Sequence, residues 1–363
     1  MKAKMRAVRY YGTRDVRLEH DIPEPKCGAD EVKIRPAFVG ICGTDIHEYQ
    51  SQTLIPRADR PHALSKQGVP VTIGHEISGT VVEIGADVPT SSNIKVGDQV
   101  AVLPLLYCRQ CVPCHAGYPN CCTRNGFIGI SGHGGGLSDF LTVDHEAIFK
   151  LPDNISLEIG ALVEPLAVAW HAVVESGIRP GQDCLVFGTG PIGLAVIQCL
   201  NARNAGQIIA VEVAAQRQEF ARQFGATHLL DPTKVDVVKE AKALTGGLGP
   251  PVAFDCAGVE ATLSAATRAV SFRGTIMNVA IWERPTNFNP NNVVFHEKKY
   301  IGSLTYVLDD YKQVIEALQD ERMKPAAMIT GKIAMERIVE DGLETLINER
   351  DKHVKILVDL TAN

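Results

Sequence analysis

The segment Asp183-Cys-Leu-Val-Phe-Gly188-Thr-Gly190-Pro-Ile-Gly193 joins a short apolar run to a glycine-rich turn. The apolar run predicts a buried strand, and the turn opens a helical stretch that reaches about Asn204. Gly-x-Gly-x-x-Gly is a weak signal alone, but between a strand and a helix it fits a dinucleotide-binding turn. Its glycines let backbone N–H groups approach a pyrophosphate closely. The predicted cofactor-binding residues of this turn are Gly188, Gly190, Pro191, Ile192 and Gly193.

Strands and helical stretches alternate beyond this turn. The further predicted strands are Gln207–Val211, Val252–Asp255 and Gly274–Ala280. This alternation predicts βαβ units and a doubly wound parallel sheet. Glu212 lies about twenty residues beyond the turn, where a carboxylate would bind the adenine ribose hydroxyls and repel a 2′-phosphate. We therefore expect NAD rather than NADP, although a solvated strand end is the alternative for Glu212. Arg217 is either a surface helix residue or a side chain that tunes the choice of cofactor.

The N-terminal part of the chain is different in pattern. Short β-branched runs are separated by clusters of Gly, Pro, Asn and Asp, and they cover Val32–Ile34, Thr80–Ile84, Gln99–Leu103 and Phe140–Val143. They predict a β-rich barrel or sandwich whose loops are free to carry ligands. Residues 52–70 are polar and proline-bearing, which indicates an inserted loop. A helix over Tyr311–Leu318 and a last strand over Val354–Leu360 are expected to return to this first domain.

Composition excludes several classes of protein. The apolar fraction of 45% and the charged fraction of 21% are those of an ordinary globular chain, and 363 residues suggest two domains. A net charge of −6 argues against a nucleic-acid partner. The N-terminus lacks the apolar stretch of a secretory signal, and the longest apolar run, Ala161 to Val174, is interrupted by Glu164, Pro165 and His171, so no membrane span is expected. Ten cysteines point to metal binding in a reducing, cytoplasmic setting.

Two short motifs supply candidate metal ligands and proton carriers. Cys42-Gly-Thr-Asp-Ile-His47 holds a thiol, a hydroxyl, a carboxylate and an imidazole, and Gly74-His75-Glu76 follows after a polar loop. Cys42 and His75 are ligand types that zinc prefers, and Glu76 would complete a three-ligand set with an open position. Thr44 and His47 are close enough in sequence to carry a proton away from that position. Each residue taken alone is better explained by an ordinary core or loop role, and the case for a site comes from the other motifs.

A second metal motif is formed by four cysteines. Cys108, Cys111, Cys114 and Cys122 lie within fifteen positions. Four sulfurs make a closed tetrahedral zinc site, which is structural because it leaves no open position. An iron–sulfur cluster is the alternative, since ferredoxins use the same spacing, but their fourth cysteine precedes a proline and Cys122 precedes Thr123. Cys121 is the alternative to Cys122.

Together these motifs resemble the zinc-containing medium-chain alcohol and polyol dehydrogenase family. The resemblance covers nearly the whole chain and includes Gly-His-Glu-Ile-Ser-Gly (74–79), Glu164-Pro165 and Phe-Asp-Cys-Ala-Gly (254–258). Within the family, residues 163–168, 289–292 and 301–306 are most similar to the (R,R)-2,3-butanediol dehydrogenase branch. The resemblance implies an α/β protein with a GroES-like catalytic domain over 1–155, completed by 296–363, and a Rossmann domain over 156–295.

The resemblance also implies a ligand set and a reaction. Glu164 stands where simple alcohol dehydrogenases have a second cysteine on the catalytic zinc, so Glu76 and Glu164 compete for one metal and the choice stays open. With two zinc ions and NAD, the chain is expected to interconvert (R,R)-2,3-butanediol and acetoin, and acetoin and diacetyl, by hydride transfer. Thr44 would take the hydroxyl proton and His47 would release it to solvent. We expect a small-molecule diol or ketone substrate and a homo-oligomer, either a dimer or a tetramer.

The alternative functions differ in which of these sequence motifs they would need. Sorbitol, xylitol, threonine or glycerol dehydrogenation would use the same motifs, because substrate choice depends on pocket shape. A zinc-free reductase would lack the cysteine motifs, a zinc scaffold would not need the dinucleotide turn, and an iron–sulfur electron carrier would be brown. His133, in a glycine-rich segment, is predicted to be a loop residue, and His171 a core or subunit-contact histidine.

Overall fold

A computed structural model describes residues 3–282 and 284–362. The strands are β1 (Lys4–Gly12), β2 (Asp15–Pro23), β3 (Glu31–Gly40), β4 (Val71–Thr72), β5 (Glu76–Ile84), β6 (Gln99–Val102), β7 (Leu105–Leu106), β8 (Gly126–Phe127), β9 (Leu141–Asp144), β10 (Ile148–Lys150), β11 (Cys184–Phe187), β12 (Ile208–Val211), β13 (His228–Leu230), β14 (Val252–Asp255), β15 (Thr275–Asn278), β16 (Lys299–Gly302), β17 (Ile329–Ala334) and β18 (Lys355–Asp359). The α-helices are α1 (Gly43–Gln50), α2 (Val112–His115), α3 (Leu157–Gly160), α4 (Val163–Glu175), α5 (Pro191–Ala202), α6 (Ala215–Gln223), α7 (Val237–Leu244), α8 (Glu260–Ala269), α9 (Asn291–Val294), α10 (Leu308–Gln319) and α11 (Glu344–Asn348). Over the described residues, none of the helices combines the length and the apolarity that a membrane crossing needs.

The chain folds into two compact units. Unit 1 comprises Met1–Glu164, Val307–Ile315 and Ala326–Asn363, and unit 2 comprises Pro165–Tyr306 and Glu316–Pro325. The first boundary falls after α3 rather than near residue 155, because α3 is tied to β5 by a hydrogen bond of 2.5 Å from the Ser78 hydroxyl to the Leu157 carbonyl. The second falls beyond β16 rather than near residue 296, because β16 completes the sheet of unit 2.

Unit 1 is β-rich, as the spacing of the short apolar runs predicted. Its largest sheet has the order β10-β6-β5-β3-β18-β17, with β9 also paired to β3, and a smaller sheet has the order β2-β1-β4. The C-terminal strand β18 lies between β3 and β17, so the tail of the chain is part of the N-terminal sheet. Residues 52–70, all of which are described, contain neither a helix nor a strand and form the expected inserted loop.

Unit 2 is a parallel sheet with helices in the crossovers, which confirms the doubly wound prediction. The strand order is β13-β12-β11-β14-β15-β16, and all neighbouring pairs are parallel. The chain leaves β11 toward β12 and returns to its other side with β14, so the order reverses at β11. In open parallel sheets, ligands bind at the carboxyl ends of the strands beside such a reversal. The glycine turn follows β11 at that edge.

Candidate metal and dinucleotide sites

Antiparallel pairing of β3 with β5 brings the two short metal-ligand motifs together. The register pairs Gly40 with Glu76, which places the residues after β3 beside those before β5. The ligand atoms of Cys42, His75 and Glu76 all lie within 4.8 Å of one another. His75 is 3% exposed and Glu76 is fully buried. The structure therefore joins these three predicted ligands in one cluster.

Gly40 is required by the position of the Glu76 carboxylate. A Cβ atom at Gly40 would lie 1.9 Å from Oε2 of Glu76, a distance that no side chain can adopt. Glycine leaves that volume to the carboxylate. The glycine of the Val39-Gly-Ile-Cys segment thus permits the close approach of the two strands at the cluster.

Asp45 supports both the thiol and the imidazole. Its Oδ2 accepts a hydrogen bond of 2.9 Å from the backbone N–H of Cys42, and its Oδ1 lies 3.6 Å from Nδ1 of His75. Burial lowers the pKa of His75, but the charges of Asp45 and Cys42 outweigh it and hold that pKa well above its ordinary value. Carboxylates that orient a ligating histidine are a common feature of metal sites.

Lys355 is a member of the cluster that the sequence patterns did not predict. Its ammonium group donates to Oε1 of Glu76 at 2.6 Å and to the carbonyl of Ile41 at 3.1 Å. The residue is 2% exposed and begins β18, which pairs with β3. Burial lowers the pKa of Lys355, but Glu76, Cys42 and Glu164 reverse the effect and raise it overall. Lys355 is therefore a buried cation that neutralises Glu76.

Glu164 lies near the cluster without joining its tight group. It is 6% exposed in the first turn of α4, and its charge contributes to the raised pKa of both His75 and Lys355. Only Cys42, His75 and Glu76 have ligand atoms within 4.8 Å of one another at this place in the described chain.

The cluster fits a zinc ion on the chemistry of its donors. It presents a thiol, an imidazole and a carboxylate, the ligand types of catalytic zinc. Oε2 of Glu76 is buried and has no hydrogen-bond partner within the described part of the chain. Buried polar atoms are rarely left unsatisfied, so a cation is the natural partner for this set.

The predicted proton carriers lie on the helix that follows Cys42. Thr44 and His47 are both half-buried residues of α1. The Cys42 thiol lies 3.7 Å from Oγ1 of Thr44 and donates to it. Thr44 is thus in direct contact with a cluster member, and His47 lies three residues further along the same helix.

The four-cysteine motif forms a second cluster. The sulfurs of Cys108, Cys111, Cys114 and Cys122 all lie within 4.8 Å of one another, while Cys121 is exposed. Hydrogen bonds, chiefly from the Gln110 backbone, lower the pKa of Cys108 to about 5. Burial and the neighbouring thiols raise the pKa of Cys114 to about 12. Four converging sulfurs with no other ligand type suit a closed tetrahedral zinc site.

The glycine turn has the geometry of a dinucleotide-binding loop. Gly188 has a φ of 80°, and a Cβ atom at Gly193 would lie 1.9 Å from the Gly188 carbonyl oxygen. Gly190 is the N-cap of α5, and Pro191 is its first residue, where a missing N–H costs no hydrogen bond. The turn therefore presents a helix N-terminus that suits an anionic pyrophosphate.

Glu212 is bound into the glycine turn by hydrogen bonds. Its Oε2 accepts from the backbone N–H and the hydroxyl of Thr189, at 2.9 and 3.1 Å. Its Oε1 accepts from the N–H groups of Val213 and Ala214, at 2.9 and 3.0 Å. A guanidinium nitrogen of Arg217 lies 4.0 Å from where a Cβ atom of Gly190 would be. Glu212 and Arg217 thus both border the turn.

The two remaining histidines named above lie outside these clusters. His133 is exposed in a loop, and its backbone N–H donates to Oε1 of Gln67 at 2.9 Å. His171 is 7% exposed on α4. Neither belongs to a metal-ligand group of the described chain.

Two protein-family models match the chain. The alcohol dehydrogenase GroES-like domain matches residues 28–153, and the zinc-binding dehydrogenase domain matches residues 191–320. The first match lies in unit 1 and includes both metal-ligand clusters, and the second begins in the glycine turn.

Similar proteins cover almost the whole chain. The (R,R)-butanediol dehydrogenase of Bacillus subtilis is 41% identical over 98% of this chain and 99% of its own length. A probable diacetyl reductase ((R)-acetoin forming) of Saccharomyces cerevisiae is 36% identical over 98% of this chain and 90% of its own length. The crystal structure of 2R,3R-butanediol dehydrogenase from Bacillus subtilis superposes with a TM-score of 0.91 at 41% identity, covering 98% of this chain and 99% of that one.

Proposed function

Since the chain belongs to the zinc-containing medium-chain dehydrogenase family, we propose that it interconverts (R,R)-2,3-butanediol and acetoin, and acetoin and diacetyl, with NAD(H). The observation that carries the proposal is the Cys42–His75–Glu76 cluster, in which His75 and Glu76 are buried and Thr44 contacts the Cys42 thiol. The substrate is that of the similar butanediol dehydrogenases and diacetyl reductase.

We assign two zinc ions per chain and one NAD. Cys42, His75 and Glu76 would hold the catalytic ion beside Glu164, and the second ion would bind the sulfurs of the four-cysteine cluster. The glycine turn with Glu212 and Arg217 would hold NAD. When bound, zinc supplies a Lewis acid for the substrate oxygen, and the nicotinamide accepts the hydride.

Lys355 makes two carboxylates compatible with one metal. The Cys42 thiolate and the carboxylates of Glu76 and Glu164 carry three negative charges, which zinc and Lys355 together balance. Without Lys355 this set would carry one net negative charge and would hold the substrate proton more tightly. Lys355 thus preserves the acidity that the reaction needs.

Thr44 and His47 supply the path for the substrate proton. The Thr44 hydroxyl, which already contacts the Cys42 sulfur, would accept the proton of the substrate hydroxyl. His47, half-buried in the last turn of α1, would release it to solvent. Histidine suits this role because its ordinary pKa is close to neutral pH.

A vicinal diol places a second hydroxyl next to the reacting one. Glu76 is already engaged by Lys355, so we assign acceptance of this second hydroxyl to Glu164. A site that hydrogen-bonds a substrate hydroxyl can reject the analogue lacking it by a factor of about 10⁴. This predicts a preference for diols over ethanol or 2-butanol.

Initial rates with NAD on a panel of alcohols test the proposal. The panel contains (R,R)-, (S,S)- and meso-2,3-butanediol, sorbitol, xylitol, threonine, glycerol and ethanol. We expect the (R,R) isomer to be oxidised fastest, the meso form next through its R centre, and the (S,S) isomer poorly. A clear preference for sorbitol or threonine would overturn the butanediol assignment and leave the zinc and NAD assignments standing.

We also propose that the protein forms a homo-oligomer, a dimer or a tetramer. β16 is an edge strand of the unit 2 sheet, and the exposed apolar residues along and beside it include Val294, Phe295, Tyr300 and Leu304. An exposed apolar edge is a ready template for pairing with a second copy. Light scattering after gel filtration would contradict this if it gave the monomer mass.

A reducing compartment, the cytoplasm, is the setting we propose. The ten cysteines, all within the described residues, form no disulfide bonds. Zinc thiolate sites need reduced cysteines, and disulfides form in oxidising compartments.

A further inference from the structure

The small sheet of unit 1, β2-β1-β4, borders a cavity on the face that points away from its hydrophobic core. Successive side chains of a strand point to opposite faces. On β1, Val8 and Tyr10 belong to the core, so Arg9 between them points the other way. Arg9 and its cross-strand partner on β4, Thr72, both line the cavity. The cavity has a volume of about 290 Å³, and the residues that line it all belong to unit 1.

Arg9 brings a positive charge to this cavity that the rest of the described chain does not neutralise. Its guanidinium donates to the carbonyl of Pro70, but its Nε is buried without a hydrogen-bond partner, and it forms no ion pair with any described residue. Its cross-strand partner on β2 is Arg17, which is paired with Asp15. Like charges opposite each other in a sheet are destabilising. Arg9 therefore keeps donors and a charge that an anion can use.

His133 lines the same cavity from the glycine-rich loop. Its φ of 64° lies in the left-handed region, and its neighbours Gly132 and Gly134 have φ of 88° and 80°. A residue with a side chain is strained there and a glycine is not. Nε2 of His133 lies 3.9 Å from Oε1 of Glu31, which is beyond hydrogen-bond distance. The loop thus carries an imidazole, a second donor for an anion, at a position where glycine would cost less.

The other walls of the cavity are mainly apolar. They include three prolines and three larger apolar side chains: Pro23, Pro25, Pro70, Met5, Phe140 and Leu141. Among the described residues that line the cavity, none is acidic. A guanidinium binds a carboxylate through two parallel hydrogen bonds, and apolar walls suit a carbon chain better than a hydrated phosphate. Ligand pockets have volumes of roughly 300–1,000 Å³, so a cavity at the lower end of this range takes a small molecule.

We propose that this cavity binds a small carboxylate with a short apolar body. Arg9 binds the carboxylate, His133 donates a further hydrogen bond to it, and the carbon chain lies against the prolines and Phe140. The site is separate from the chemistry described above, since the residues that line it include none of the described ligands of either metal cluster. The proposal therefore does not rest on the proposed function, and its test needs no turnover.

Calorimetric titration of butyrate into the full-length, zinc-loaded protein tests the proposal, with butyramide as the neutral probe of the same shape. We expect a Kd for butyrate on the order of 1 mM, which is within the range for so small a ligand, and binding of butyramide at least about tenfold weaker. Arg9→Gln should raise the Kd for butyrate at least about tenfold, because hydrogen bonds between charged groups are the strong ones. It should lower the thermal midpoint by less than about 3 °C, since Arg9 has no ion pair to lose. Ile22→Trp, which keeps the arginine and narrows the cavity, should weaken butyrate binding to a similar extent.

A control variant and a direct view of the ligand complete the test. Arg337→Gln, at an arginine of unit 1 that pairs with Asp341 and does not line the cavity, should leave the Kd for butyrate unchanged. In crystals soaked with 4-bromobutyrate, anomalous scattering should place the bromine in the cavity beside Arg9. Butyrate binding that Arg9→Gln leaves unchanged, as a carboxylate bound to the catalytic zinc would give, overturns the proposal. So does binding that survives Ile22→Trp, a bromine found only outside the cavity, or inorganic phosphate binding as tightly as butyrate.

Discussion

Lys355 and Glu76 form an ion pair whose side chains are 3% and 0% exposed. We predict that Lys355→Met strongly destabilises the protein, because it leaves Glu76 as an unpaired buried charge, at a cost of about 3–5 kcal/mol. Glu76→Gln combined with Lys355→Met should recover most of that loss, since no charge is then left unpaired. Urea unfolding midpoints of the metal-free proteins measure both effects, because Lys355 is then the cation that balances Glu76. A double variant as unstable as Lys355→Met alone would show that the charge is not the cause.

We predict that Glu212 makes the protein prefer NAD over NADP. Replacing it with Ser removes the negative charge and frees the N–H groups of Thr189, Val213 and Ala214, which then face a position where a 2′-phosphate can bind. With Arg217 beside the turn, kcat/KM for NADP relative to NAD should rise at least about tenfold, the effect of roughly 1.4 kcal/mol. Glu212→Gln, which keeps the size and removes the charge, is the control and should give a smaller rise. Equal use of NAD and NADP by the wild type would contradict the role assigned to Glu212.

Site residues whose partners are close in sequence were predicted, and a residue whose partner is distant in sequence was missed. Thr44 and His47 lie on α1 and Cys42 is its N-cap, so their spacing in the sequence was enough to predict that they act together. Lys355 is 279 residues from its partner Glu76, and only the pairing of β18 with β3 brings them together. A lysine at the start of an apolar strand carries no local sign of burial, so sequence reasoning had no means of finding it.

At the scale of elements, the two cysteine motifs have different structural settings. Cys111 belongs to a loop where four sulfurs converge, whereas Cys42 lies between β3, which is paired with β5 and β18, and α1. We predict that Cys111→Ser lowers the thermal midpoint and the soluble yield, because a structural metal contributes folding free energy. Cys42→Ser should keep the midpoint within a few degrees and abolish turnover. Differential scanning calorimetry with zinc analysis checks both, and the reverse pattern would mean that the structural and catalytic assignments are exchanged.

The four-cysteine loop also predicts a pH dependence once zinc is removed. The pKa of Cys108 is lowered to about 5 and that of Cys114 is raised to about 12. Cys108 is therefore a thiolate above pH 5, and Cys114 stays protonated below pH 12. Iodoacetamide should modify Cys108 at a rate that is nearly constant from about pH 6.5 to 8.5, because only the thiolate reacts. Cys114 should react slowly, at a rate that rises with pH. Peptide mass spectrometry resolves the two sites, and equal rates would contradict the assigned order.

Strands that form a continuous apolar run were predicted from the sequence. Strands that are very short or largely exposed were not. β11, β12 and β14 are apolar runs between turns, and their predicted spans agree with the structure to within one residue. β13, His-Leu-Leu, is too short to show a period, and β16, Lys-Tyr-Ile-Gly, is largely exposed. Both are strands only because a neighbouring strand offers them hydrogen bonds, which is a tertiary effect that local propensity does not contain.

At the scale of the whole molecule, the chemistry is divided between the two units. The proposed zinc ligands, including Glu164 and Lys355's partner Glu76, all lie in unit 1, and the glycine turn, Glu212 and Arg217 all lie in unit 2. The segment from 165 to 306 carries its own parallel sheet and core. The proposed cofactor site is therefore built from contacts that contain no metal ligand.

This division predicts that NADH binding survives loss of the catalytic zinc. Removal of the metal by a chelator, or Cys42→Ser, should abolish alcohol oxidation and leave the Kd for NADH within about threefold, less than roughly 0.7 kcal/mol. The reason is that the hydrogen bonds that shape the turn, from Thr189 to Glu212, lie wholly within unit 2. Titration of NADH fluorescence on the full-length protein measures the affinity, and zinc analysis verifies the metal content. Thr189→Ala, which removes one of those hydrogen bonds and no metal ligand, is the matched contrast and should weaken NADH binding while both zinc ions stay bound. A rise in the Kd for NADH of more than about tenfold on zinc removal (roughly 1.4 kcal/mol) would mean that the metal helps to form the cofactor site.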